Sequence, residues 1–202
     1  MFIEPHLGRN EPPGRVGWIE VICGCMFSGK TEELIRRLNR SLIAKQNVEI
    51  FKPVTDKRYH EKHIVSHNEN TIRSTPVNFA SDILLLAGDC DVVGVDEAQF
   101  FDAAIVEVCN TLANSGKRVI VAGLDMDFEG KPFGPMPNLL AVAEFVTKVH
   151  AICANTGELA SYSYRLTHNK EQVMLGQKAE YEARSRRSFI DGMKSRKKVG
   201  DE

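Results

Sequence analysis

A chain of 202 residues with 43% hydrophobic content can bury one full core and a small appendage, but hardly two independent domains. Its net charge of −1 gives no general pull toward nucleic acid or an acidic membrane, and no stretch approaches the length of a membrane span. The segment Met1–Arg15 lacks the apolar core of a signal peptide, and the five cysteines are odd in number and mostly set in apolar runs. The expectation is therefore a cytoplasmic protein with reduced thiols.

In chain order, the apolar run Trp18–Cys23 reads as a strand and Glu32–Ala44 as a helix. Between them Gly24, Cys25, Met26, Phe27, Ser28, Gly29, Lys30 and Thr31 complete the pattern G-x-x-x-x-G-K-[ST]. In a strand–loop–helix of this kind the glycines let backbone N–H groups curl around phosphate oxygens, and the helix N-terminus adds a favourable dipole. Lys30 then reaches the β- and γ-phosphates and Thr31 offers a hydroxyl to Mg²⁺, so a bound nucleoside triphosphate is expected.

Val48–Pro53 is the next strand, followed by the polar stretch Thr55–Ser74, which reads as a mobile loop near the ligand. Its histidines His60, His63 and His67 have no cysteine partner and read as solvated side chains. The apolar segments Val77–Phe79 and Ile83–Ala87 precede a core strand, Val92–Val95, which ends in Asp96-Glu97. Ile105–Asn114 is an amphipathic helix stopped near Gly116, Arg118–Gly123 another core strand, and Asn138–Phe145 a helix opened by Pro137. From Val146 the texture changes, and the alternation over Ser161–Tyr164 with the run Val173–Leu175 suggests a small β subdomain.

Strands alternating with helices predict an α/β fold with a largely parallel sheet. The chain divides into a tail (1–16), a nucleotide-binding domain (17–148), a small subdomain (149–190) and a basic tail (191–202). The basic residues from Arg184 to Lys198 have only Phe189 among them, so a solvated, partly disordered tail is expected rather than a nucleic-acid surface.

A strand ending in an acid is the Walker B arrangement, with a carboxylate beside the Mg²⁺ of the phosphate loop. Neighbouring strand residues face opposite sides, so Asp96 and Glu97 divide the work: one serves the metal region and the other faces the acceptor. An ATPase would use the second acid on water and a kinase on a substrate hydroxyl; the two motifs leave both open.

Five segments carry a resemblance that decides between them. Met26-Phe27-Ser28-Gly29-Lys30, Glu32-Glu33-Leu34-Ile35-Arg36-Arg37, Asp56-Lys57-Arg58-Tyr59, Asp96-Glu97-Ala98-Gln99-Phe100-Phe101 and Lys131-Pro132-Phe133-Gly134 resemble the type II thymidine kinases, the family of the human cytosolic enzyme and many bacterial ones. The likeness runs from about Trp18 to Tyr181. It implies a RecA-like P-loop NTPase sheet flanked by helices, with a small C-terminal lasso subdomain. The implied reaction is transfer of the γ-phosphoryl of ATP to the 5′-hydroxyl of thymidine in a homotetramer inhibited by thymidine triphosphate.

The same resemblance makes Glu97 the general base and groups Thr31, Asp96 and, through water, Asp56 around Mg²⁺, with Arg58 at the transferred phosphoryl. It puts Met26, Gln99, Phe100, Leu124, Phe128, Phe133 and Tyr181 around thymine. The lasso, about Arg165 to Glu182, would bring Val173, Met174, Leu175 and Gly176 to the base, chiefly through backbone groups.

Two departures stand out. Most of the family ties the lasso with a structural zinc, but its ligand positions here read Cys153, Thr156, Ser185 and Ser188. One thiolate with three hydroxyls is a poor zinc set, and His150 adds at most a second ligand, so no structural zinc is expected. Gln177 also stands where the family has a glycine. Two rival readings compete with the kinase. A DNA-stimulated ATPase lacks the basic face it would need, and a non-catalytic nucleotide sensor has no need of Glu97.

Overall fold

The computed structural model describes residues 16–54, 63–65, 71–167 and 180–200. In chain order they form β1 (Trp18–Cys23), α1 (Lys30–Ile43), β2 (Val48–Pro53), β3 (His63–Val65), β4 (Thr71–Arg73), β5 (Thr75–Val77), α2 (Asp82–Leu86) and β6 (Val92–Val95). After a 3₁₀ turn at Ala98–Phe100 come α3 (Ile105–Asn114), β7 (Arg118–Gly123), α4 (Met136–Val142), β8 (Phe145–Lys148), β9 (Ala151–Ile152), β10 (Leu159–Ala160), β11 (Tyr162–Arg165), β12 (Tyr181–Arg184) and α5 (Arg186–Gly200).

Six strands make one sheet in the order β5-β2-β6-β7-β1-β8, and every neighbouring pair is parallel. Both faces are covered, which is why the central strands read as unbroken apolar runs. On one face Leu34, Ile35 and Leu38 of α1 pack on Ile22, Ile50, Val92, Ile120 and Ala122. On the other, Ile105, Val108 and Leu112 of α3 and Met136 and Leu139 of α4 meet Val21, Val93, Val95, Val119 and Val121. This is the parallel α/β architecture expected from the strand–helix alternation, and it agrees with the P-loop sheet that the family resemblance implies.

The edge strand β8 departs from expectation. The helix predicted over Asn138–Phe145 ends at Val142, and Phe145 opens a strand whose residues pair with Glu20 through Cys23. Its exposure alternates between half-buried and open, so it lacks the continuous apolar signal of its neighbours. Within the stretch read as a loop, β3 and β4 pair antiparallel; its remaining residues 55–62 and 66–70 lie outside the described residues.

Inside the sheet's α1 face lies a charged network that composition does not reveal. Glu20, Arg37 and Arg118 are all buried, with Arg37 2.8 Å and Arg118 2.6 Å from the Glu20 carboxylate. Arg37 also reaches Glu33 at 2.8 Å and Thr147 at 2.9 Å, and Arg118 donates to Ser41 at 3.1 Å. The network joins β1, α1, β7 and β8. Burying such charges is tolerable only because each meets an opposite charge or a hydrogen-bonding partner.

Beyond β8 the chain forms antiparallel pairs, β9 with β10 and β11 with β12, and then α5. The segment expected as a disordered tail from residue 191 is instead helical through Gly200. Its anchor is Phe189, stacked on Tyr162 with centroids 4.5 Å apart and edge-on to Tyr164 at 6.1 Å. Tyr164 adds a hydrogen bond from its hydroxyl to the Gly192 carbonyl at 3.2 Å. The two aromatic partners of Phe189, Tyr162 and Tyr164, lie more than twenty residues upstream, where local composition cannot register them.

Candidate active site

The chemistry gathers at the C-terminal ends of β1, β6 and β7, where open parallel sheets place their ligands. Because β7 lies between β1 and β6, the loop after β1 and the acids after β6 face each other across one strand.

The loop is shaped before any ligand enters. Gly29 has φ 85° and N-caps α1, a left-handed conformation that disfavours other residues. Gly24 has a different reason to be glycine: at φ 150°, a Cβ there would overlap the Val149 carbonyl oxygen of the chain leaving β8. Phe27 also takes a positive φ, 64°, without being glycine. Strain of this kind collects at functional sites when the surroundings enforce it. Here Ser28 Oγ and Lys30 Nζ both donate to the Cys25 carbonyl, at 2.7 and 2.8 Å.

Sequence reasoning missed the contribution of the small subdomain to this loop. The Met26 N–H donates to Ser163 Oγ of β11 at 3.0 Å, and the Cys25 thiol to the Ala160 carbonyl of β10 at 3.3 Å. Only the place of Ser163 between Tyr162 and Tyr164 could have hinted at it. A second tie is the ion pair Lys148–Asp125 at 2.5 Å, which spans the end of β1 from β8 to the loop after β7. Burial works against the Lys148 ammonium, but the Asp125 carboxylate outweighs it and raises the pKa.

Opposite the loop, Thr31 Oγ1 donates to Asp96 Oδ2 at 3.4 Å, and Asp96 Oδ1 accepts the Glu97 N–H at 3.0 Å. A hydroxyl beside a carboxylate is an oxygen donor set suited to a hard divalent cation. Glu97 sits at φ 52°, a second strained position. Glu97 Oε2 accepts Gln99 Nε2 at 2.5 Å. Gln99 in turn accepts the Leu124 N–H at 2.9 Å, tying the second acid to the end of β7.

The residues expected around a base fall into two connected groups. Gln99 and Leu124 are hydrogen-bonded, and Phe100 meets Phe133 edge-on at 5.7 Å. Phe128 and Tyr181 are joined through Arg165, a fully buried residue absent from the expected site. Asp56, Arg58, Val173, Met174, Leu175, Gly176 and Gln177 lie outside the described residues.

The four positions of the family's zinc ligands come together at the start of α5. Thr156 Oγ1 and Ser185 Oγ are 3.4 Å apart, and Ser188 Oγ accepts Asn155 Nδ2 at 3.2 Å. Burial pushes the Cys153 thiol up, but hydrogen bonds from the Thr156 side chain and from the backbone of Ser185, Asn155 and Thr156 outweigh it and lower the pKa to about 6. His150 turns to Ser161, 3.1 Å away. Among the described residues no three His, Cys, Asp or Glu side chains are grouped to hold a metal.

A phosphate loop whose Thr31 meets the Asp96 carboxylate, and a second acid hydrogen-bonded to Gln99, are the working parts of a P-loop phosphotransferase. The thymidine kinase family model matches residues 17–189, and the chain belongs to that family. A thymidine kinase of Rhodothermus sp. (strain ITI 518) is 63% identical over 189 residues, 94% of this chain and 88% of the relative. The thymidine kinase of Bacteroides fragilis (strain YCH46) is 57% identical over 94% of each chain. That of Porphyromonas gingivalis (strain W83) is 62% identical over 83% of this chain and 82% of the relative. No helix among the described residues is long and apolar enough to cross a membrane.

Proposed function

We propose that this chain transfers the γ-phosphoryl of ATP to the 5′-hydroxyl of thymidine, forming dTMP for DNA-precursor salvage in the cytoplasm. The observation that carries the reading is the separation of the two acids: Asp96 turns to Thr31 of the phosphate loop and Glu97 to Gln99. Glu97 takes the hydroxyl proton, a task for a carboxylate because phosphoryl transfer demands positioning more than strong basicity. Lys30 and the loop amides hold the triphosphate, and by the family resemblance Arg58 helps neutralise charge on the transferred phosphoryl. Thr31 and Asp96, with Asp56 through water, hold Mg²⁺, which when bound neutralises charge on the phosphates.

Met26, Gln99, Phe100, Leu124, Phe128, Phe133 and Tyr181 enclose the base, and the family resemblance adds Val173, Met174, Leu175 and Gly176 to the residues that bind it. The family resemblance supports assembly as a homotetramer and inhibition by thymidine triphosphate. The donor set at Cys153, Thr156, Ser185 and Ser188 supports a subdomain held without zinc, since hydroxyls bind that metal poorly.

The test is a coupled assay with ATP and Mg²⁺, after treatment with a zinc chelator that is then removed, against thymidine, deoxycytidine, deoxyguanosine and no nucleoside. Thymidine-dependent ADP release is expected, unaffected by the pretreatment. Glu97→Gln should lower kcat by about 100- to 10,000-fold while ATP still binds. Nucleoside-independent hydrolysis would return the chain to the ATPase reading, and full turnover in Glu97→Gln would remove Glu97 as the base.

A further inference from the structure

Arg165 ends β11 and pairs in register with Tyr181 of β12. Its side chain is fully buried, with the guanidinium carbon 3.7 Å from the Phe128 ring centroid and 5.2 Å from that of Tyr181. Its Nε and one terminal nitrogen both donate to the Tyr181 hydroxyl, at 2.9 and 2.5 Å. Phe128 comes from the loop after β7 and Tyr181 from the small subdomain, so one planar group spans the two parts of the molecule.

The carbonyl of Arg165 is held in turn. A terminal nitrogen of Arg196, on α5, donates to the Arg165 carbonyl and to that of Thr167, the latter at 2.7 Å. The Arg196 guanidinium also lies 4.7 Å from the Tyr164 ring centroid. The chain of contact therefore runs from α5 through the end of β11 to two aromatic rings.

We propose that Arg165 is a positioning residue for the nucleoside base, setting the angle and spacing of Phe128 and Tyr181, and that Arg196 acts through it by fixing the backbone from which it projects. The inference rests on the base-site reading above. A guanidinium can stack on one ring while offering two parallel N–H groups to the hydroxyl of another; an ammonium is a point charge and cannot do both. The two rings face a planar substrate, so their tilt sets how much of it they cover. Phe128 and Tyr181 are read as walls of the base site and not of the triphosphate site, so the effect should fall on nucleoside binding.

The test measures KM and kcat for thymidine and for ATP in Arg165→Lys, Arg196→Gln, the double variant and Phe128→Ala. Arg165→Lys should raise thymidine KM about tenfold and Arg196→Gln about threefold, with ATP KM native. The double variant should match Arg165→Lys alone, because Arg196 works through Arg165. Native thymidine KM in both arginine variants, or ATP KM rising in step, overturns the inference, the second outcome pointing to a general structural role. Arg196→Gln, on a partly exposed helix, decides the matter if Arg165→Lys does not fold. A native thymidine KM in Phe128→Ala overturns the base-site reading and the inference with it, whereas a raised value there with native arginine variants overturns the inference alone.

Discussion

The parallel sheet and the small subdomain are built by different means. The sheet is held by unbroken apolar strands buried between α1 on one face and α2, α3 and α4 on the other, with its charged network sealed inside. The subdomain has short two-stranded pairs, a small apolar cluster of Cys25, Ala151, Cys153, Ala160 and Ala183, and a set of arginines laid on aromatic rings. Arg184 is 3.5 Å from the Tyr164 centroid and Arg186 5.1 Å from that of Tyr162. A part too small to bury a core of its own can be ordered by a few planar cations and rings, provided each holds several neighbours.

The largest effect is expected of Glu20→Gln. It leaves two buried guanidinium groups without their shared carboxylate and should cost about 3–5 kcal/mol, read as a loss in global unfolding free energy by denaturant titration. A small loss would mean that the sheet does not depend on its internal charges.

Phe189→Ala should follow at about 3 kcal/mol, for it removes the ring between Tyr162 and Tyr164. Its loss should be local: hydrogen exchange speeds up in β11, β12 and α5 while β1, β6 and β7 stay protected. Uniform acceleration would show the two parts unfolding as one. The mildest effect, about 1 kcal/mol, is expected for Ser163→Ala, which removes the acceptor of the Met26 N–H. It should raise ATP KM by a few-fold with little change in the melting temperature. An unchanged ATP KM would separate the subdomain from the phosphate loop.

The same contrast explains what could be read in advance. Strands β1, β2, β6 and β7 begin and end where the apolar runs do, because burial on both faces writes hydrophobicity at most of their positions, Glu20, Glu49, Lys52 and Arg118 excepted. The phosphate-loop motif and the Asp96-Glu97 pair are contiguous in sequence and could be read as patterns, although Val149, Ala160 and Ser163, which also shape the loop, are distant in sequence. The edge strand β8 was hidden by its half-exposed residues, and α5 by a basic composition whose single anchor, Phe189, looks isolated until Tyr162 and Tyr164 are folded against it. Arg165 shows the limit most plainly. Nothing near it in sequence marks a basic residue as fully buried between Phe128 and Tyr181, which join it only in three dimensions.

The first glycine of the phosphate loop carries a further lesson. Gly24 is hemmed in by the Val149 carbonyl, a contact made by the protein with itself. Saturation mutagenesis would therefore score this position as intolerant under any selection, including one for folding alone. Gly29, whose Cβ would meet nothing closer than a Glu32 oxygen at 3.8 Å, should instead show graded tolerance, with residues that accept a left-handed backbone surviving best. Two letters that look equivalent in the motif thus answer to different constraints, Gly24 to the crowding of Val149 and Ser28 together with its φ, and Gly29 to its φ alone.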